Sequence, residues 1–203
     1  MATDTAGQKE QTAVYPMVVL FELESLALAG RKRLYDLLKK ALAAAGVQVT
    51  PALFSRYGLA ASAEFAVAGL LEGAGGKGDA AKIGADVAET FAADLAEKVE
   101  VVSPVVKLIQ AALKKGCAVG AVSALPEERA QAVLARLDLG GDVKLAAHKP
   151  TEAVYPRADT WVKLLKSACK STVPAVAVVS SAASAKAALA AGLRCIVVPD
   201  ECT

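Results

Sequence analysis

Val18-Val19-Leu20-Phe21-Glu22-Leu23-Glu24-Ser25 is an apolar run that ends in two carboxylates two residues apart. Its β-branched and aromatic side chains predict a buried strand over Met17–Leu23. Side chains two apart on an extended segment point the same way, so Glu22 and Glu24 are expected to converge on one small volume at the strand's end. Like charges so placed raise each other's proton affinity, and burial adds to that cost. A strand that ends this way needs a metal ion, a counter-charge or chemistry to justify it.

Working outward, Leu34, Leu37, Leu38, Ala41, Leu42 and Ala45 make the i, i+3, i+4, i+7 stripe of a helix over Arg31–Ala45, stopped by Gly46. Pro51 to Glu100 holds no strand pattern and predicts helices near Pro51–Tyr57, Ser62–Leu71 and Asp86–Val99. Gly73–Gly78 lacks the GxxxxGK[ST] spacing of a phosphate loop and predicts a turn. Ser103-Pro104 offers an N-cap and a first-turn proline to a helix whose apolar face is Leu108, Ile109, Ala112 and Leu113. Strands then alternate with helices: strand Cys117–Val122, helix Glu127–Leu137, strand Val143–Ala146, helix Tyr155–Cys169, strand Ala175–Val179, helix Ala183–Ala191, strand Arg194–Val198. Short apolar strands separated by helices predict an α/β fold, a parallel Rossmann-like sheet covered on both faces. The expected organisation is an N-terminal arm (1–15), a core of 16–48 and 101–203, and a small all-helical cap inserted at 49–100.

Composition bounds the partners. The 203-residue chain is 55% hydrophobic and 22% charged, which suits one packed core and excludes a disordered chain. A net charge of +2 gives no broad basic surface, so no nucleic-acid partner is expected. Four cysteines without CxxC or zinc spacing suit a reducing compartment. No apolar stretch suggests a signal peptide or a membrane span. The expected location is the cytoplasm, or an organelle lumen after loss of a transit segment.

Ligands of such sheets bind beyond the carboxyl ends of the strands. The residues expected there are Glu22 and Glu24, then Ser123, then His148-Lys149, then Ser180-Ser181. Their order resembles the haloacid dehalogenase superfamily, in particular its phosphatase and β-phosphoglucomutase-like branch, over nearly the whole chain. Phe21-Glu22-Leu23-Glu24-Ser25-Leu26 stands where that family has Asp-x-Asp-Gly-Thr. Gly120-Ala121-Val122-Ser123 matches the second motif, and Lys149-Pro150-Thr151-Glu152-Ala153-Val154-Tyr155 the third. Ala187-Ala188-Leu189-Ala190-Ala191-Gly192 through Val197-Val198-Pro199-Asp200 matches the frame of the fourth, with Val179 and Ser180 where relatives carry acids.

The resemblance implies Glu22 and Glu24 at the nucleophile and acid/base positions, Lys149 beside them, and Ser123, the Ala124 amide and Lys149 as phosphate-binding groups. It also implies magnesium in working relatives. Here both aspartates are glutamates, the fourth-motif acids are gone, and Leu26 replaces a hydroxyl residue. A displacement of ~1 Å at a reacting group can cost roughly a hundredfold in rate, and magnesium demands near-ideal octahedral oxygen ligands. The expectation is a catalytically degenerate homologue without cofactor or metal, acting by binding a protein or a phosphorylated small molecule, or as a subunit. Magnesium is expected only if the chain is active. The alternatives are a phosphomonoester hydrolase with Glu22 as nucleophile and a metal-independent hydrolase. Without a metal, Lys149 is the expected counter-ion of Glu22. Ser123 has a second reading as a helix cap, and Trp161, beside Leu164 and Leu165 on an amphipathic helix, reads as core.

Overall fold

A computed structural model describes residues 15–59, 62–147, 157–170 and 172–199. Residues 1–14 of the N-terminal arm, His148 and Lys149 lie outside the described residues. Strands β1 (Val18–Glu22), β2 (Ala118–Val122), β3 (Val143–Ala146), β4 (Ala175–Val179) and β5 (Arg194–Val197) form one parallel sheet in the order β3-β2-β1-β4-β5. The chain steps from β1 outward to β2 and β3, then returns to the other side of β1 for β4 and β5. The carboxyl end of β1 is therefore the switch point of the topology, where doubly wound sheets form their binding crevice.

Alternation splits the sheet's side chains into two packed layers. Phe21, Val119 and Ala121 join one large apolar cluster with the helices before β2 and with α6 (Glu127–Arg136). Val18, Leu20, Ala177 and Val179 join a second cluster with α7 (Ala158–Ala168) and α8 (Ala182–Ala190). Trp161 of α7 is wholly buried there, as its helical spacing predicts. β5 is one of the two edge strands, and its Ile196 and Val197 remain about half exposed.

Between β1 and β2 run a π-type turn (Leu23–Ala27) and helices α1 (Gly30–Ala43), α2 (Pro51–Tyr57), α3 (Ala63–Ala74), α4 (Ala80–Glu97) and α5 (Ser103–Lys114). Thr50 caps α2 and Asp79 caps α4, each side chain accepting from the third residue on. Gly75, in the left-handed region at φ 67°, ends α3. Val102 rather than Ser103 is the cap of α5, because Ser103 already has its backbone inside the first turn. The buried face of α5 is Val106 and Ile109; Leu108 is exposed.

α1 packs on α3 and α4, and its Arg33 Nε lies 2.7 Å from the Asp94 carboxylate of α4. The sequence-based boundary at 48/49 thus falls between α1 and the helices on which it rests. An antiparallel bridge between Leu28 and Val101 marks the place where the chain leaves the sheet layer and returns to it. The helical layer is also pinned from below. Arg136, in the last turn of α6, donates from Nη1 to the Leu95 carbonyl (2.6 Å) and from Nη2 to the Val99 carbonyl (2.7 Å). The Leu95 carbonyl is among those that the end of a helix leaves without partners, and Val99 follows just beyond the C-cap Lys98.

Gly30 opens α1 where no side chain fits. A Cβ there would come within 2.4 Å of the Glu24 carbonyl oxygen and 3.1 Å of a Leu95 methyl. Gly30→Ala is therefore expected to lower stability by about 1–3 kcal/mol, as overpacking does. Urea unfolding checks this, and an unchanged midpoint would contradict the close approach.

Candidate functional site

β1 stays extended through Glu22 and then tightens into the π-type turn, so Glu24 leaves the line of the strand. The two carboxylates still line one cleft, but not by the alternation that their spacing predicts. The turn sends them to opposite neighbours of β1: Glu22 toward the end of β4, Glu24 toward the end of β2. Turns of this type concentrate at functional sites.

Glu22 is held on both oxygens. Its Oε2 accepts from the Ser180 amide (2.6 Å), the Ser180 hydroxyl (2.5 Å) and, at 3.4 Å, the Ser25 hydroxyl. Its Oε1 accepts from the Ser184 hydroxyl. Ser184 sits in the first turn of α8, whose cap Ser181 accepts from the Ser184 amide. Behind Ser180 stands Arg31, the second residue of α1 and itself buried. Its Nη1 donates to the Ser180 carbonyl (3.1 Å) and its Nη2 to the Ser180 hydroxyl (2.5 Å). A serine hydroxyl has one proton and can also accept. Ser180 thus receives from the guanidinium and gives to Glu22, and each bond polarises the next.

Glu24 is held on the other side. Its Oε1 accepts from the Ser123 hydroxyl and from the Ala124 amide at 3.1 Å. The Ser123 oxygen accepts in turn from the Leu125 amide, so Ser123 does not cap α6, whose cap is Pro126. Burial pushes the Glu24 carboxyl from 4.5 up to about 7; the Ser123 and Ala124 donors oppose that rise and the charge of Glu22 adds to it.

Glu22, Glu24, Ser25, Arg31 and Ala124 line a narrow cleft open to solvent, with a volume of about 60 Å³. Gly58, Leu59 and Phe91 close it from the helical side. Of the residues that the sequence nominated, Glu22, Glu24, Ser123 and Ala124 do meet here. Lys149 lies outside the described residues, so the Glu22–Lys149 pair stays an expectation. Arg31, Ser25 and Ser184 were not foreseen. Arg31 had a visible signal, since it stands three and seven residues before Leu34 and Leu38, on the apolar stripe of α1.

No protein-family model and no curated protein sequence matches this chain. Solved structures do. CbbY from Rhodobacter sphaeroides, crystallised with phosphate, superposes with a TM-score of 0.71 at 23% identity, over 92% of this chain and 87% of that one. The fold is that of the haloacid dehalogenase-like phosphatases. A candidate phosphoglycolate phosphatase from Lactobacillus plantarum follows at TM-score 0.69 and 14% identity, covering 91% of this chain and 86% of its own. A haloacid dehalogenase-like protein from Agrobacterium tumefaciens gives 0.68 and 15%, over 91% and 82%.

Haloacid dehalogenase-like phosphatases raise the question of magnesium, and the described residues do not fit that ion. A magnesium site needs oxygen ligands with lone pairs to spare. Oε2 of Glu22 is crowded by the Ser180 amide and hydroxyl, and only Oε1, which accepts from Ser184, keeps a lone pair to offer. At the fourth-motif position the Ser180 hydroxyl and carbonyl face a guanidinium, so a metal cation there would meet a like charge. Among the described residues no group of three or more His, Cys, Asp or Glu side chains is placed to hold a metal.

Proposed function

We propose that this chain is a haloacid dehalogenase-like hydrolase homologue whose catalytic positions have become structural, and that it acts by binding. The observation that carries the reading is the state of Glu22. Both of its oxygens accept from hydroxyl and amide donors of the protein, and those bonds hold the group in place and draw off the negative charge that a nucleophile uses. The cleft remains open to solvent and is lined by two carboxyl groups, a guanidinium and a main-chain amide. A phosphorylated small molecule or a protein surface is the class of partner we assign. The net charge of +2 favours no nucleic acid, and among the described residues no helix is long and apolar enough to cross a membrane. We place the protein in the cytoplasm or, alternatively, in an organelle lumen.

One observation favours a second reading, a hydrolase that uses Glu22 as nucleophile. Glu24, at the acid/base position, has a carboxyl held near 7, where general acid–base groups work best. Turnover of an aryl phosphate, with magnesium and without it, separates the two. Wild-type protein and Glu22→Gln are expected to show the same background rate under both conditions. Wild-type turnover that disappears in Glu22→Gln would restore the enzyme, and the condition that supports it would say whether a metal is used.

A further inference from the structure

The end of β2 presents two donors to a single oxygen. The Ser123 hydroxyl and the Ala124 amide converge on Oε1 of Glu24. A hydroxyl and a main-chain N–H aimed at one negatively charged oxygen form an oxyanion cradle, and charge-assisted bonds of this kind are the strong ones. Ser123 is wholly buried, so the cradle belongs to the wall of the cleft and not to a solvated loop. Across the cleft stands a buried guanidinium, Arg31. Both features suit an anionic ligand, yet the oxygen in the cradle belongs to the chain's own carboxyl group.

The extra methylene of a glutamate, together with the π-type turn that carries it, brings the carboxylate of residue 24 onto these donors. An entering anion would meet that carboxylate and, beyond it, Glu22. We propose that Glu24 is a resident occupant that keeps an oxyanion site shut, and that a phosphate group binds in this cleft only by displacing it from Ser123 and Ala124. The inference names the ligand class of the binding reading above and rests on the same cleft. It does not depend on the absence of turnover.

Inorganic phosphate is the probe, titrated calorimetrically at fixed pH with EDTA present. The chains compared are wild type, Glu24→Ala, Glu24→Asp and Glu24→Ala/Ser123→Ala, each checked for folding by circular dichroism. Glu24→Ala is expected to bind phosphate at least tenfold more tightly than wild type, and the added Ser123→Ala to remove most of that gain. Glu24→Asp withdraws the carboxylate by one methylene and is expected to tighten binding too, which serves if the alanine variant does not fold. Equal affinity in wild type and in the folded Glu24 variants, or a gain indifferent to Ser123, would overturn the proposal. Aryl phosphate turnover in the same wild-type preparation reports separately on whether the chain is an enzyme, so failure of one reading is distinguishable from failure of the other.

Discussion

Arg31→Met is expected to destabilise the protein by roughly 2–5 kcal/mol, because it strips a buried charged donor from two buried acceptors at once. The Ser180 carbonyl and hydroxyl both lose their guanidinium partner. The hydroxyl that holds Glu22 then loses the polarisation that strengthens its bond. A domain of this length is stable by about 5–15 kcal/mol, so the loss is a large fraction of the whole and lowers the melting temperature by on the order of 10 °C. Arg31→Lys is expected to fall between, since a single ammonium lacks the fork that reaches both oxygens. Thermal unfolding of the three proteins checks this. A double-mutant cycle with Ser180→Ala isolates the pair, with an expected coupling of about 0.5–3 kcal/mol. An unchanged melting temperature in Arg31→Met would remove Arg31 from its central place in the site.

The second large effect is on pH. The folded chain holds the Glu24 proton with a pKa of about 7, against 4.5 ordinarily, chiefly because burial disfavours the charge. Among the described residues, the charged groups facing it are Glu22 from β1 and Arg31 from α1, with Ser123 and Ala124 as its donors. Since the folded state binds this proton more tightly than the unfolded state, its contribution is fully present below about pH 4.5. It is lost as pH rises through about 7, and the total is about 3 kcal/mol. Stability is therefore expected to fall between pH 5 and 8. In Glu24→Gln, whose amide oxygen can still accept from Ser123 and Ala124, the fall is expected to disappear and the variant to exceed wild type at pH 8. Urea midpoints at pH 5, 6, 7 and 8 check this; a wild-type profile parallel to that of Glu24→Gln would show that the carboxyl is not buried as described.

How much of this could be read from the sequence depended on the range of the signal. Val143–Ala146, Ala175–Val179 and Pro51–Tyr57 fall where the sequence places them, because β-branched runs and an N1 proline act locally. α4 begins at Ala80 and not near Asp86, since the Asp79 cap was a local signal passed over. Leu108 faces solvent because the face that α5 buries is decided by packing against β2 and the π-type turn. The site divides in the same way. Glu22, Glu24, Ser123 and Ala124 stood at strand ends and were legible there. That Glu22 and Glu24 part company was not, because the π-type turn replaces the expected alternation. Arg31 and Ser180 lie 149 positions apart, and only the finished topology brings them together.

Arg136 has a consequence for motion. In many two-layer proteins a lid rocks on its hinges while each layer keeps its internal bonds. Here the guanidinium of α6 ties down the last turn of α4 and a residue just past it, so the two helices are joined by bonds to main-chain carbonyls as well as by packing. One apolar cluster holds both helices on the same face of the sheet. Rocking would strip the Leu95 and Val99 carbonyls of their donors, and fraying the end of α4 would do the same. Separating α4 from α6 and fraying the end of α4 would then be one excursion rather than two, and the amides of the two helices are expected to exchange together. A ligand small enough to enter without that excursion meets a pocket that is already assembled.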